Sequence, residues 1–216
     1  MKSDVQLRKD VFEELTADPS LDAAEIAVTV KDGVVTLGGD VGSYAEKWAA
    51  ERAVKRVAGV KGLAEEIQVK LPGPAERTDA DIARAAVNAL QWNVSVPSER
   101  VRVKVQNGFV TLEGEVSWQF QREAAHDAVR HLTGVRWVDN QIVVKPAVSA
   151  SAVKGKIETA FTRNALLDAA GIAVNVKGDA VTLRGVVRSW AERDEAERAV
   201  WAVPGVAHVD DHLIIG

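Results

Sequence analysis

Cysteine is absent from the 216 residues of this sequence, and tyrosine occurs only once. Without cysteine the chain can form no disulfide framework, thiolate nucleophile or thiolate metal site. No apolar run approaches the roughly 20 residues that a membrane-spanning helix needs. The N-terminal stretch MKSDVQLRKDVFEEL also lacks the apolar segment of a secretory signal. Together these absences predict a cytoplasmic protein with no transmembrane segment.

The sequence also lacks an excess of basic residues over acidic ones. The sequence has 27 Lys and Arg residues against 31 Asp and Glu residues, which gives a formal net charge of −4 at pH 7. The basic and acidic counts are 10 and 13 in residues 1–71, 9 and 9 in 72–147, and 8 and 9 in 148–216. Proteins that bind nucleic-acid backbones usually carry a basic patch or stripe. Nucleic acid is therefore not an expected partner.

The sequence does contain an internal repeat, a unit that occurs three times. The stretches DGVVTLGGDV, NGFVTLEGEV and GDAVTLRGVV coincide when the chain is shifted by 75 and then by 71 residues. A period above 70 residues is too long for a solenoid repeat. We therefore predict three small domains, at 1–71, 78–146 and 149–216. The stretches LPGPAERT and KPAVSAS have the Pro, Gly and Ser content of linkers.

Each copy predicts the element order helix, strand, strand, helix, strand. In the first copy Leu7, Val11 and Leu15 recur every four residues, as on one face of a helix. Strands with period two follow, joined in the three copies by the loops DG, NG and GD, whose residues tolerate the positive φ of two-residue hairpins. Such a loop pairs Val30 with Val35 and buries the large aliphatic side chains on one face.

Capping boxes mark the start of the second helix in two copies. Ser43 with Glu46, and Ser189 with Glu192, have the spacing that satisfies the first backbone N–H groups of a helix. In the middle copy the stretch SWQF puts Phe120 where the glutamate is expected, which predicts a broken box. Gly39 and its counterparts are predicted to be backbone positions, at a bulge or a close approach beneath the second helix.

These features resemble the BON domain, a small αββαβ module of bacterial proteins. The resemblance rests on the element order, on the VTLxG strand and on the GV before the last strand, and it covers nearly the whole chain three times. It implies an α+β fold in which each copy is a three-stranded sheet packed against two helices. It also implies a non-catalytic binding module, because the family is associated with anionic phospholipid binding, with osmotic or envelope stress and, in some cytoplasmic members, with potassium.

The sequence shows no nucleophile–base set, no HExxH motif and no phosphate-binding loop. His208, Asp210 and His212 share one face of the last strand and could bind a divalent ion. They span about 13 Å at 3.3 Å per residue, however, which is too far for one ion. A solvated strand face is the better interpretation, and no metal or cofactor is expected.

A basic strand face gives a second candidate. Arg100, Arg102 and Lys104 share this face and could hold a phosphate. The predicted register places Glu113 opposite Arg102 and Glu115 opposite Arg100. Opposite charges that face each other across strands stabilise a sheet, so local ion pairing is the preferred interpretation.

Aromatic residues of the second helix are the candidate binding residues. Tyr44, Trp118 and Trp190 lie at its start in the three copies, while Trp48 and Trp201 stand where sister copies carry charge. Trp48 is matched by Glu123 and Asp194, and Trp201 by Lys55 and Arg130. Indole, with an apolar body and a polar tip, favours interfaces. Packing between repeats, an external partner and membrane lipid all remain open.

The resulting hypothesis is a non-catalytic, stress-related scaffold or binding protein. Its partner is another protein or anionic phospholipid, docked through the aromatic residues of the second helix. The alternative is a cation-responsive osmotic-stress protein in which loop carbonyls hold potassium. Self-association through open sheet faces is compatible with both.

Overall fold

The computed structural model describes residues 2–73, 77–146, 153–164, 167 and 171–216. Parts of both predicted linkers, together with Met1 and the first residues of the third copy, lie outside the described residues. The described part of the chain forms three domains with the predicted α+β element order. Domain 1 contains α1 (Asp4–Ala17), β1 (Ile26–Lys31), β2 (Val34–Val41), α2 (Tyr44–Arg56) and β3 (Gly62–Val69).

Domain 2 differs from domain 1 only in its last strand, which is in two pieces. Its elements are α3 (Asp79–Trp92), β4 (Val101–Gln106), β5 (Phe109–Val116), α4 (Gln119–Arg130), β6 (Trp137–Asn140) and β7 (Val143–Val144). Domain 3 contains α5 (Val153–Arg163), β8 (Ile172–Lys177), β9 (Ala180–Val187), α6 (Trp190–Trp201) and β10 (His208–Ile215).

The strand order within each sheet follows from the hairpin. The first two strands pair antiparallel, and the third lies parallel beside the second, so that the second strand is central. The predicted register is confirmed: Val30 faces Val35, and the equivalent valine pairs of domains 2 and 3 face each other in the same way. Since one register serves all three copies, each sheet turns the same aliphatic face towards its helices.

The hairpin loops differ slightly from the prediction. Asp32 and Gly33 both have positive φ, at 53° and 82°, and Asn107 and Gly108 repeat this geometry. In domain 3 Gly178 has φ 65°, but Asp179 is not among the described residues with positive φ. The first two loops therefore have the φ signs of type I′ turns, and the third has that of a type II′ turn with glycine first.

Each domain has its own core, made by the stripes that the sequence predicts. Leu7, Val11 and Leu15 of α1 are buried against the sheet. The matching residues of α3 and α5 are buried as well. Ala50 and Ala53 of α2 have no exposed surface, and their small side chains let the second helix lie close to the sheet.

The structure confirms one part of the prediction for Gly39 and corrects another. It has φ 109°, and a Cβ atom there would lie 2.0 Å from the carbonyl oxygen of Glu25, just before β1. Gly114 and Gly185 have the same 2.0 Å approach to the carbonyls of Arg100 and Gly171. The close approach is therefore to the neighbouring strand and not beneath the second helix.

The middle capping box is half formed. Its glutamate position is held by Gln121 and not, as expected, by Phe120, while the N-cap residue Trp118 makes no side-chain cap hydrogen bond because its indole only donates. Helix α4 has its N-cap at Trp118, and Gln121 is its third residue. The amide oxygen of Gln121 accepts hydrogen bonds from the backbone N–H groups of Ser117 and Trp118, at 3.0 and 3.1 Å. A glutamine thus replaces the glutamate of the other copies, and Phe120 is free to face outward.

A polar bridge joins the second helix to the third strand in every domain. Lys47 lies 3.8 Å from Glu65 in domain 1, and Arg193 lies 2.5 Å from Asp211 in domain 3. In domain 2 the amide of Asn140 donates to the carbonyl of Arg122 at 2.8 Å, and its oxygen accepts from Ile142 N–H at 3.2 Å. Asp211 accepts from Leu213 N–H in the same way, at 2.8 Å, although β10 is continuous.

The second helices of the three domains

Tyr44 belongs to α2 but lies in the core of domain 2. It is 5% exposed and packs with the buried residues of the second domain. Its ring meets those of Trp137 and His126 edge-on, with centroids 5.6 and 6.3 Å away. Burial raises the pKa of Tyr44 to about 12, with Glu51 and Glu65 adding to the shift. The contact therefore joins domains 1 and 2.

Trp48 and Lys47 extend this joint. The Arg130 guanidinium of domain 2 lies 3.6 Å from the centre of the Trp48 ring, and Arg52 of the same helix lies 4.6 Å away. The ammonium of Lys47 lies 5.1 Å from the centre of the Trp137 ring. Cations over indole faces are attracted by the ring quadrupole, so these contacts add to the packing of Tyr44.

Trp190, the counterpart of Tyr44 in domain 3, packs against the core of domain 1. Lys55 of domain 1 lies 5.7 Å from the centre of its ring. Trp201 packs against the cores of both domain 2 and domain 3, and its indole N–H donates to Glu197 at 3.2 Å. Each domain therefore contacts both of the others, and the three form a closed ring.

The closed ring of domains explains why the positions of Trp48 and Trp201 hold charged residues in the sister domains. At the joint of domains 1 and 2, Trp48 meets Arg130. At the joint of domains 3 and 1, the equivalent positions hold Asp194 and Lys55, which interact as opposite charges. At these two joints, one position of a second helix thus meets a later position of the neighbouring second helix, with an indole and a cation at one joint and opposite charges at the other.

A cleft of about 750 Å³ opens where the three second helices meet. Its charged lining is balanced between five acidic and five basic side chains. These are Glu51, Glu123, Asp127, Asp194 and Glu197, with Arg52, Lys55, Arg122, Arg130 and Arg198. This balance gives the cleft no preference for an anion or a cation.

Trp118 is the one predicted binding aromatic without a contact to another domain among the described ring and core contacts. It is half-buried at the start of α4 and stacks on Phe120, with centroids 6.5 Å apart and ring planes at 29°. Phe120 is 54% exposed. The two rings therefore form an accessible aromatic surface at the outer end of the second helix of domain 2.

Two further exposed apolar side chains of domain 2, which sequence reasoning missed, lie at the end of α3. Trp92, at the end of α3, is 87% exposed, and Val94 just after it is fully exposed. The amide of Asn93 reaches the carbonyl of Ala124 at 3.5 Å, one helical turn beyond Phe120. This contact holds the end of α3 against α4. We call Trp92, Val94, Trp118 and Phe120 the domain 2 aromatic patch.

Fewer acids surround this patch than the equivalent regions of the sister domains. Gln121 stands where domains 1 and 3 have Glu46 and Glu192. Glu123, the nearest acid along α4, lines the central cleft instead. The repulsion that acidic side chains would exert on an anionic surface is therefore weakest at domain 2.

Comparison with known proteins shows the family. A model described as the BON domain matches residues 3–70, 78–146 and 149–216. The chain belongs to the BON domain family. Its three αββαβ units are thus three tandem BON domains.

One curated relative is "Osmotically-inducible protein Y" of Escherichia coli strain K12. It is 30% identical over 130 residues, which is 58% of this chain and 65% of the relative. The match therefore spans slightly less than two thirds of the relative's length.

Solved structures give only distant matches. The type III secretion protein CdsD of Chlamydia trachomatis is 14% identical, with a TM-score of 0.27, covering 98% of this chain and 92% of its own. The PrgH periplasmic domain is 10% identical with a TM-score of 0.22, and coverage is 94% and 98%. Scores this low carry no argument about the BON domains described here.

The two polar clusters of the sequence have local partners. His208 Nε2 lies 2.9 Å from the Asp210 carboxylate, and no group of three or more His, Asp or Glu side chains within the described residues could hold a metal ion. Arg102 faces Glu113 as predicted. The predicted pairing of Arg100 with Glu115 is wrong, because Glu115 pairs with Lys145 and Arg100 lies 3.8 Å from Glu99.

Within the described ranges of the three BON domains, no helix has the length and the apolar character needed to cross a bilayer.

Proposed function

We propose that this BON protein is a non-catalytic, stress-related binding protein whose domain 2 docks onto anionic phospholipid through the domain 2 aromatic patch. The observation that carries the proposal is the stacked pair of the half-buried Trp118 and the exposed Phe120 on the second helix, together with the exposed Trp92 at the end of α3. Tryptophan and phenylalanine enter the boundary between headgroups and acyl chains, where an apolar ring is favourable and the indole N–H stays hydrated.

Within this proposal the other second-helix aromatics serve the scaffold. Tyr44, Trp48, Trp190 and Trp201 hold the three domains together, so that the patch is presented from a rigid ring. The role in stress is supported by the similarity to an osmotically inducible relative. The neutral Gln121, at the position of Glu46 and Glu192, supports an anionic surface as the partner.

The sister domains supply the variants that test this function. Ser43 and Ser189 occupy the position of Trp118, and Ala45 and Ala191 occupy that of Phe120. A Trp118→Ser, Phe120→Ala double variant therefore carries the residues that its own relatives use at the same point of the fold. We expect it to keep its melting temperature and to lose most of its sedimentation with phosphatidylglycerol vesicles.

Phe109→Ala is the matched control, because Phe109 is also an exposed aromatic residue of domain 2 but belongs to strand β5. It should bind vesicles like the unmodified chain, and phosphatidylcholine vesicles should bind all three proteins weakly. Equal sedimentation of the double variant and the unmodified chain would refute docking through the patch. Equal loss in the control would show that exposed aromatic area alone decides binding.

A further inference from the structure

Strand β1 of domain 1 has an edge that no described element covers. The strand order is β1–β2–β3, so β1 pairs only with β2. Lys31 and Val34 flank the two-residue loop and face each other, which makes them a hydrogen-bonded pair, and such pairs alternate along an antiparallel ladder. Val28 and Val30 consequently direct their backbone N–H and C=O groups away from β2, towards the open edge.

Helix α1 forms the other wall of a groove along this edge. The groove has a volume of about 740 Å³ and is lined by α1 and by residues 26–30 of β1. Val5 and Phe12 of α1 are 82% and 49% exposed. They are seven residues apart and lie on one face of the helix with Arg8 and Lys9 between them. The wall is thus apolar at both ends and basic at its centre.

The positive charge at the centre of the groove is only partly neutralised from within, because Lys9 lies 3.6 Å from Glu13 but Arg8 has no such partner in the described part of the chain. The carboxylate of Asp4 accepts hydrogen bonds from the N–H groups of Asp32 and Gly33, at 2.8 and 3.0 Å, and is occupied by the hairpin loop. Arg8 has no ion pair with any residue in the described ranges. An acidic side chain entering the centre of the groove would therefore gain a partner.

We propose that this groove binds an extended segment of a partner protein, added to the sheet as a strand beside β1. The segment carries an apolar, an acidic and an apolar side chain at alternate positions. Alternate side chains of a strand are about 6.6 Å apart, close to the pitch of about 5.4 Å that separates Val5, the basic pair and Phe12 along α1. The exposed backbone of Val28 and Val30 supplies the hydrogen bonds of strand addition.

The equivalent grooves of the sister domains lack this combination. Phe12 is matched by Val87 and Glu158, and Arg8 by Ala83 and Lys154. In domain 3 Lys154 lies 3.8 Å from Glu158, so the two positions neutralise each other. In domain 2 the position of Phe12 holds an apolar residue, Val87, but the position of Arg8 holds Ala83 and so has no positive charge. Binding is therefore assigned to domain 1 alone, at a surface other than the lipid-docking patch.

The test uses the full chain, labelled with nitrogen-15, and the acetylated and amidated peptide SVTETVS as the probe. At peptide concentrations up to about 1 mM, the amide signals of Val28 and Val30 should shift, and their hydrogen exchange should slow at least tenfold. The peptide SVTKTVS, which places lysine opposite Arg8, should bind at least fivefold more weakly. A version methylated on its backbone nitrogens should not bind, because it cannot form the strand ladder.

The variant Phe12→Glu introduces the residue of domain 3 and should weaken binding at least fivefold, whereas Val87→Glu in domain 2 should leave it unchanged. Unshifted Val28 and Val30 signals at about 1 mM SVTETVS would overturn the proposal, as would equal binding of the lysine peptide. Protection of these amides from hydrogen exchange in the free chain, increasing with protein concentration, would also overturn the proposal. It would show that a second copy of the chain covers the edge.

Discussion

The Arg130 guanidinium carbon lies 3.6 Å from the centre of the Trp48 ring, across the joint between domains 1 and 2. Burial at this joint lowers the pKa of Arg130, and the nearby charge of Asp127 opposes the shift. A cation that has lost part of its water gains more from an aromatic face than an exposed one does. The joint is therefore held by an interaction that depends on both residues.

A double-mutant cycle measures this dependence. We expect Trp48→Leu and Arg130→Met each to destabilise the chain, with a coupling of about 0.5–2 kcal/mol between them. Urea unfolding of the single and double variants gives the coupling. The pair Trp92→Leu and Arg130→Met serves as the control and should be additive, because Trp92 is exposed in another part of domain 2. Additivity of Trp48 and Arg130 would mean that their contact contributes nothing.

Tyr44 makes the joint sensitive to alkaline pH. Its pKa is raised from 10.0 to about 12 by burial. A folded-state pKa above the unfolded value means that the contribution of Tyr44 is complete below pH 10 and is lost as the pH rises through 12. Because the chain has one tyrosine, the ultraviolet absorbance of tyrosinate reports this group alone. Tyr44→Phe should remove this loss of stability, and a titration midpoint near 10 would contradict the buried position.

Glu65 should oppose stability at neutral pH. Burial raises its pKa above the ordinary 4.5, and Lys47 offsets this in part. The neutral carboxyl is favoured in the fold, so its contribution is present below pH 4.5 and is lost as the pH rises through the raised value. We expect Glu65→Gln to gain melting temperature relative to the unmodified chain between pH 4 and pH 7. A constant difference over this range would show that Glu65 does not titrate abnormally.

The glycine pair in strand β2 offers a matched comparison. A Cβ at Gly39 would lie 2.0 Å from a backbone carbonyl oxygen, whereas one at Gly38 meets nothing within 4 Å. Gly39→Ala should therefore cost several kcal/mol of unfolding free energy, about 3 or more. Gly38→Ala should lie within about 0.5 kcal/mol of the unmodified chain. Similar costs for the two variants, measured by urea unfolding, would contradict the assigned register.

Ring closure rests on Trp190 at the joint of domains 3 and 1. A compact chain of this length has a radius of gyration of about 17 Å. A Trp190→Ala, Trp201→Ala double variant should raise the value measured by small-angle X-ray scattering by several ångströms, because domain 3 then loses an aromatic contact to each of the other two domains. Trp92→Ala should leave it unchanged. An unchanged radius for the double variant would show that the remaining contacts close the ring without these two residues.

The elements of each domain could be predicted from sequence because their signals are local. The apolar period of Leu7, Val11 and Leu15 specifies a buried helix face, and the loop at Asp32 specifies the register of the hairpin. The stretch SWQF misplaces the capping box of α4 by one residue, although the shift of 75 residues that aligns the copies carries Ser43 onto Trp118. Applying that shift to Glu46 reaches Gln121 and not Phe120.

The arrangement of the domains could not be predicted in the same way. Tyr44 and Trp118 occupy adjacent positions at the start of equivalent helices, yet one is buried in another domain and the other is accessible. Contacts between distant parts of the chain decide this difference, and local periodicity contains no record of them. The exposure of Trp92 has the same origin, since a tryptophan at the end of an amphipathic helix is usually buried.

The closed ring also limits where the chain can be altered. In a linear array of repeats, each unit touches only its immediate neighbours. Here domain 3 returns to domain 1 through Trp190, so a further copy inserted between the three would separate these two faces and leave each without its partner. The side chains of the second helices therefore specify which domain meets which, and the three copies cannot exchange places.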